Sequence, residues 1–153
     1  MDHKDHRSIG SLIAVDDEDT QGGLMAAFID ADIPEPRQAR DAVALRGVLD
    51  GAALDLIVMS DRLNGEYVAP LISDVRRGKL GPHPFPIVVV LTHHSDPAAI
   101  RQVSNCGPDD IVTLPCEPEA LLERINVFLA GDRRPLVVNA GYAGPERRVK
   151  NRE

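Results

Sequence analysis

Short apolar runs of strand length alternate along the chain with longer stretches whose apolar residues recur at helical spacing. This is the pattern of repeated βα units closing on a parallel sheet. Residues 12–15, 54–59 and 87–91 are apolar runs interrupted only by Asp55, the last of them four-fifths β-branched, which predicts strands buried on both faces at the centre of such a sheet. Residues 37–39 and 111–113 are shorter and less apolar, and are expected nearer its edges. Between the runs, Leu24, Met25, Phe28 and Ile29 fall on one helical face, as do Ala42, Leu45 and Leu49. A third helix is predicted at about 68–77 from Leu71 and Val75, and a fourth at about 97–105 from Ile100 and Val103. Asp96 before Pro97 supplies an N-cap followed by proline at the first helical position. The clearest stripe is Leu121, Leu122, Ile125, Phe128 and Leu129 within 118–129, and Gly131 ends that helix. The predicted fold is a doubly wound, five-stranded parallel α/β sheet of flavodoxin-like (βα)5 type.

Beyond Gly131 the pattern stops. Residues 132–153 read as a basic tail, in which the apolar run Leu136-Val137-Val138 docks on the body and the chain from Gly144-Pro145 onward is exposed and mobile. Residues 1–10 read as a flexible amino-terminus and 11–131 as the folded domain. A length of 153 residues with 43% hydrophobic content suits one core rather than two. Aromatic residues are scarce, so Leu, Ile, Val and Ala must build that core. No signal peptide or membrane-length apolar run is evident, which predicts a soluble cytoplasmic protein without membrane contact. Cys106 and Cys116 lack metal-ligand or CxxC spacing and are expected as reduced thiols. The net charge of −7 divides into +3 over 132–153 and −10 elsewhere. An acidic body argues against DNA binding, whereas the tail suits an anionic partner.

In an open parallel sheet, ligands bind beyond the carboxyl ends of the strands. Those ends deliver Asp16-Asp17-Glu18-Asp19 after the first strand, Ser60-Asp61 after the third, Thr92-His93-His94 after the fourth and Thr113-Leu114-Pro115 after the fifth. The acids need a cation to neutralise them if they converge. His93 and His94 have no zinc-site spacing and Ser60 no GxSxG elbow, so loop histidines and a non-catalytic serine are expected.

This ordered set resembles the response-regulator receiver domain, of the CheY-like kind, over about residues 11–129. Val15-Asp16-Asp17, Leu91-Thr92, the Gly-x-Asp-Asp pattern at 107–110 and Thr113-Leu114-Pro115 carry the resemblance. The segment Arg76-Arg-Gly-Lys-Leu-Gly and the closing Tyr142-x-Gly-Pro-Glu-Arg-Arg look like a subgroup of single-domain members with such a tail. The resemblance implies two-component signalling through a protein partner (kinase, chemotaxis or output protein) and no enzymatic activity. It also implies partner or homodimer contacts on the face of helix four, strand five and helix five.

Three positions depart from the family pattern. Counting from Asp55 and from Gly65, the phosphoacceptor aspartate falls on Ser60; Leu114 stands where the pattern has lysine; and Ile111 takes the place of the aromatic switch residue. A serine hydroxyl without a base is a poor nucleophile, and no cation is left to stabilise transferred charge. The degenerate pocket is therefore Ser60, Asp61, Thr92 and Leu114, expected to work without phosphorylation. Asp61 is one residue late and should face away from the pocket that Ser60 faces, although a local bulge would bring it back and make it the acceptor. Asp16 and Asp17 are the metal candidates; no cofactor is required, and Mg2+ would bind weakly for want of a carboxylate. A third reading takes Arg147, Arg148 and Arg152 as an anion-binding tail for a cyclic dinucleotide.

Overall fold

The computed structural model describes residues 8–147. In chain order the elements are β1 (Ser11–Ala14), α1 (Glu18–Asp30), β2 (Arg37–Ala39), α2 (Ala42–Gly51), β3 (Leu56–Ser60), β4 (Arg62–Leu63), β5 (Glu66–Tyr67), α3 (Pro70–Arg76), β6 (Ile87–Thr92), α4 (Pro97–Ser104), β7 (Asp110–Thr113), α5 (Pro118–Leu129), β8 (Leu136–Asn139) and β9 (Tyr142–Pro145). The main sheet has five strands in the order β2-β1-β3-β6-β7, all parallel. The three apolar runs form its centre and the two weaker ones its edges. Order reverses between β1 and β3, which opens a crevice at the carboxyl ends of those strands.

The pleat of the central strands divides the core in two. Ile13, Leu56, Val58, Val89 and Leu91 face α1 and α5, joining Leu24, Phe28, Leu121 and Ile125. Leu12, Ile57, Met59, Val88 and Val90 face the other way, onto Leu45, Leu49, Ile72, Val75 and Val103. Burial of one such Leu or Ile side chain stabilises the fold by about 1.5–3 kcal/mol. Helix starts follow the sequence cues: the Asp17, Asp41 and Asp96 side chains accept from the amides of Thr20, Ala44 and Ala99.

Two antiparallel hairpins go beyond the predicted elements. The first, β4–β5, turns at Asn64-Gly65, both with positive φ (49° and 83°). Asn-Gly is favoured at such a turn because both residues tolerate the left-handed region. The second corrects the expected tail. Leu136 pairs with Pro145, Val137 with Gly144 and Val138 with Ala143, and all of β9 is buried, including the Gly144-Pro145 pair expected to be exposed. The reason is local to Gly107 and Gly144. A Cβ on Gly107 (φ +102°) would overlap the carbonyl oxygen of Ala143, and one on Gly144 would meet the Gly107 backbone, so two glycines let β9 lie directly on the α4–β7 loop.

Beneath that contact lies Arg76, the last residue of α3 and only 2% exposed. Its Nε donates to Gly107 O at 2.9 Å, its Nη1 to Pro84 O and Pro86 O at 2.7 Å, and its Nη2 to Asp109 Oδ2 at 2.9 Å. Burial pulls the Arg76 guanidinium down to about 10, opposed by Asp109. Arg133 approaches Asp109 from the other side, at 2.7 Å. The core edge thus holds an Arg76–Asp109–Arg133 triad tying α3, the α4–β7 loop and the segment leading into β8.

Candidate functional site: the crevice at the carboxyl edge of the sheet

Val15, Asp16, Asp17, Ser60, Asp61, Leu91, His93 and Leu114 line a cavity of about 200 Å3 at the crevice. It adjoins a second of about 250 Å3 between α1 and α5, sharing Thr20, Leu91, His93 and Leu114 with it. The residues predicted from the strand ends, Ser60, Asp61, Asp16, Asp17 and Leu114, therefore do converge. Thr92 lies just beneath, 1% exposed, bonded to Asp61.

The pleat sorts these residues. Ser60 continues the series Leu56, Val58 toward α1 and α5, and Leu114 packs against that same cluster. Asp61 continues the series Ile57, Met59, and Thr92 the series Val88, Val90, toward α3 and α4. Asp61 is 7% exposed and its Oδ2 accepts from Thr92 Oγ1 at 2.9 Å. Its amide donates to Leu91 O at 3.0 Å, and its carbonyl accepts from Val68 and Ala69. Asp61 thus takes the face opposite Ser60, as alternation requires, yet still borders the same cavity, held at its floor by Thr92.

The acidic pair is already engaged. Asp17 caps α1, accepting from Thr20 N at 2.8 Å and Thr20 Oγ1 at 2.5 Å, and these bonds hold its carboxyl below the usual carboxylate range. Asp16 Oδ2 accepts from the amide of Asn64 at 2.5 Å, so it anchors the β4–β5 turn over the crevice. Among the described residues no group of three or more His, Cys, Asp or Glu side chains converges closely enough to hold a metal ion. A divalent cation at this edge would be held by Asp16 and Asp17 through the carboxylate oxygens opposite those used for the loop anchor and the helix cap.

Two residues were not foreseen, one beside the crevice and one at the other end of the sheet. Tyr67, on β5, stacks under Arg62 with 5.0 Å from guanidinium to ring centroid. Its hydroxyl is buried with no strong hydrogen-bond partner among the described residues, the weakly bonding thiol of Cys106 being its neighbour. It lies against the Cys106 thiol, and burial pushes it up to about 12. The Asn-Gly turn was the available signal, but strands of two residues carry no periodicity. Arg76 gave no such signal: an arginine in a basic stretch reads as solvated until its carbonyl partners are placed.

Ile111 sits on β7, partly buried against the α3–α4 side of the core. His93 and His94 are exposed, as expected of loop histidines. Arg147 lies far from the crevice, on the carboxyl side of β9. Its guanidinium stacks on the Tyr142 ring at 3.9 Å, and its Nη1 donates to Asn105 Oδ1 at 2.6 Å. Arg148 and Arg152 lie outside the described residues, as do His3 and His6.

The architecture is found again in solved structures. The response regulator DrrB of Thermotoga maritima, described as an OmpR/PhoB homolog, superimposes with a TM-score of 0.71 at 20% identity, over 85% of this chain and 56% of its own. The receiver domain of the Francisella response regulator 1452 gives 0.69 at 19% identity, over 80% of this chain and 97% of its own. The chain has the fold of a response-regulator receiver domain. Vibrio cholerae CheY4 carries the same receiver fold, with a TM-score of 0.66 at 19% identity, over 78% of this chain and 98% of its own. Protein PetR of Rhodobacter capsulatus is 32% identical to this chain over 130 residues, which is 85% of this chain and 52% of PetR. The chain thus spans about half the length of that curated relative. No protein-family model matches it. No described helix is long and apolar enough to cross a membrane.

Proposed function

We propose that this receiver serves two-component signalling by protein contact, without accepting a phosphoryl group. One observation carries the reading: the two positions that resemblance assigns to acceptor and lysine, Ser60 and Leu114, lie on one face of the sheet and are both uncharged. Phosphoryl transfer needs a carboxylate nucleophile and cationic stabilisation of the transferred oxygens. Restoring aspartate alone would leave a carboxylate without the lysine, and restoring lysine alone a cation without the aspartate, so the two departures remove acceptor and cation together. The protein would then be a non-enzymatic cytoplasmic adaptor, with a kinase, chemotaxis or output protein as partner.

The Asp61–Thr92 hydrogen bond favours one second reading, in which Asp61 accepts the phosphoryl group from the opposite face. Incubation with acetyl phosphate and Mg2+, followed by intact mass measurement, separates the two. The first reading predicts no adduct. An adduct on the wild type that is absent in Asp61→Asn would replace it with the second.

A further inference from the structure

The crevice has an apolar annex. Thr20, Leu91, His93 and Leu114 line both the crevice cavity and the adjoining lobe of about 250 Å3 between α1 and α5. That lobe is walled mainly by carbon, from Leu24, Leu91, Leu114, Leu121, Pro115 and Pro118. Gly23 leaves it room on the α1 side, where a Cβ would already stand 3.3 Å from the Pro118 ring. Leu114 belongs to both lobes, so the position where the resemblance has lysine is here the apolar divide between them.

The crevice lobe is polar and short of positive charge. Over the lining of both lobes, Asp16, Asp17, Asp19 and Asp61 stand against one arginine, Arg62, with His93 and His94 beside them. Arg62 is exposed and stacks on Tyr67. Asp16, Asp17 and Asp61 accept through Oδ2, from Asn64, Thr20 and Thr92, and no described residue donates to their Oδ1 atoms. Asp61 carries the largest deficit, since it is only 7% exposed and lines the cavity with one carboxylate oxygen unbonded.

We propose that the two lobes form one binding site for a small organic cation, a protonated amine on an apolar body, with the body between α1 and α5 and the ammonium at Asp61, Asp16 and Asp17. An ammonium brings three donors and a positive charge to the side where four acids face one arginine. The body displaces water from Leu24, Leu114 and Leu121. A concave, largely apolar chamber with a few polar groups at one end is the usual form of a small-molecule site. The same acids repel a ligand with a carboxylate or phosphate head. The inference rests on the phosphorylation-independent reading above, because such a ligand can occupy the crevice only where no phosphoryl group has to enter.

The test titrates the full chain, isotope-labelled at its leucine methyls, with phenylbutylamine, phenylbutanol and phenylbutyrate, which share a body and differ in the charge of the head. Methylamine supplies the head alone. Phenylbutylamine should shift Leu24, Leu114 and Leu121 saturably and bind about tenfold more tightly than the alcohol or better. Phenylbutyrate and methylamine should not bind at the same concentrations. The amine should lose about tenfold in Asp61→Asn, with the alcohol unchanged, and should not bind Leu114→Lys. It should bind Glu35→Gln, an exposed acid before β2, as it binds the wild type. The comparison of heads on the wild type decides the matter even if a variant fails to fold. Equal affinity for all three heads, binding of methylamine alone, shifts away from these leucines, or no binding of the amine would overturn the proposal. Beryllofluoride with Mg2+ keeps the two ideas apart. An adduct on the wild type that competes with a bound amine sinks the phosphorylation-independent reading and leaves the site standing, whereas no adduct and no amine binding sinks the site alone.

Discussion

Arg76→Met removes a guanidinium that is 2% exposed and makes four hydrogen bonds, while keeping most of the volume it fills. What stays behind sets the magnitude. Asp109, its side chain 1% exposed, loses one of two cationic partners, and the carbonyls of Gly107 and Pro84 lose the Arg76 donor. Pro86 O keeps the Nη2 of Arg133, at 2.9 Å. Breaking a buried charge pair by removing one partner costs about 3–5 kcal/mol. Because Arg133 still bonds Asp109 at 2.7 Å, the lower end applies, about 3 kcal/mol of a total that for a domain of this kind is about 5–15 kcal/mol. Urea denaturation followed by circular dichroism measures it. Arg76→Lys should recover only part, since an ammonium cannot span Gly107 O, two proline carbonyls and a carboxylate at once. The Gly107 carbonyl is also where β9 sits, so amide exchange in residues 142–145 should accelerate in the same variant. A loss below about 1 kcal/mol for Arg76→Met would refute the reasoning, because it would mean that the triad is solvated or its charges are compensated elsewhere.

Three other outcomes follow from single contacts. Tyr67→Phe should leave the protein as stable or raise stability by about 1 kcal/mol in the same assay, since it deletes a buried hydroxyl whose neighbour is only the weakly bonding Cys106 thiol; a comparable loss would show that the hydroxyl is satisfied. Gly107→Ala should destabilise by more than about 1 kcal/mol and loosen β9, measured by limited proteolysis of the hairpin, because φ is +102° and the new methyl meets Ala143 O. The Asp17 carboxyl should titrate below 3.8 by carbon-detected NMR, since its bonds to Thr20 favour the charged form. With the folded value depressed, its capping contribution is complete above the unfolded value of 3.8 and is lost as pH falls through the folded midpoint; a midpoint at or above 3.8 contradicts the cap.

The main sheet was legible because strands buried on both faces leave unbroken apolar runs, and Ile87–Thr92 and Leu56–Ser60 are such runs up to their last, polar residue. The convergence of residues at the crevice followed from the strand ends. Alternation placed Asp61 on the other face, but could not show that Thr92, from the neighbouring strand, would hold it there. The hairpin was misread because its second strand, Tyr142–Pro145, contains Gly and Pro, residues that signal exposed loops. Its burial comes from backbone contact between Gly107 and Gly144, two glycines distant in sequence whose meeting no local pattern announces. Arg76 is long-range in the same sense: Asp109, Pro84 and Gly107 are brought to it only by the completed fold.

The central claim is that the crevice no longer works as a phosphoryl switch, and the most direct measurement is the amide NMR spectrum of the full chain with and without beryllofluoride and Mg2+. The account predicts superimposable spectra for the wild type, and adduct-dependent shifts only when Ser60→Asp and Leu114→Lys are introduced together. Shifts in the wild type spreading from Asp61 and Thr92 to Ile111 would contradict it.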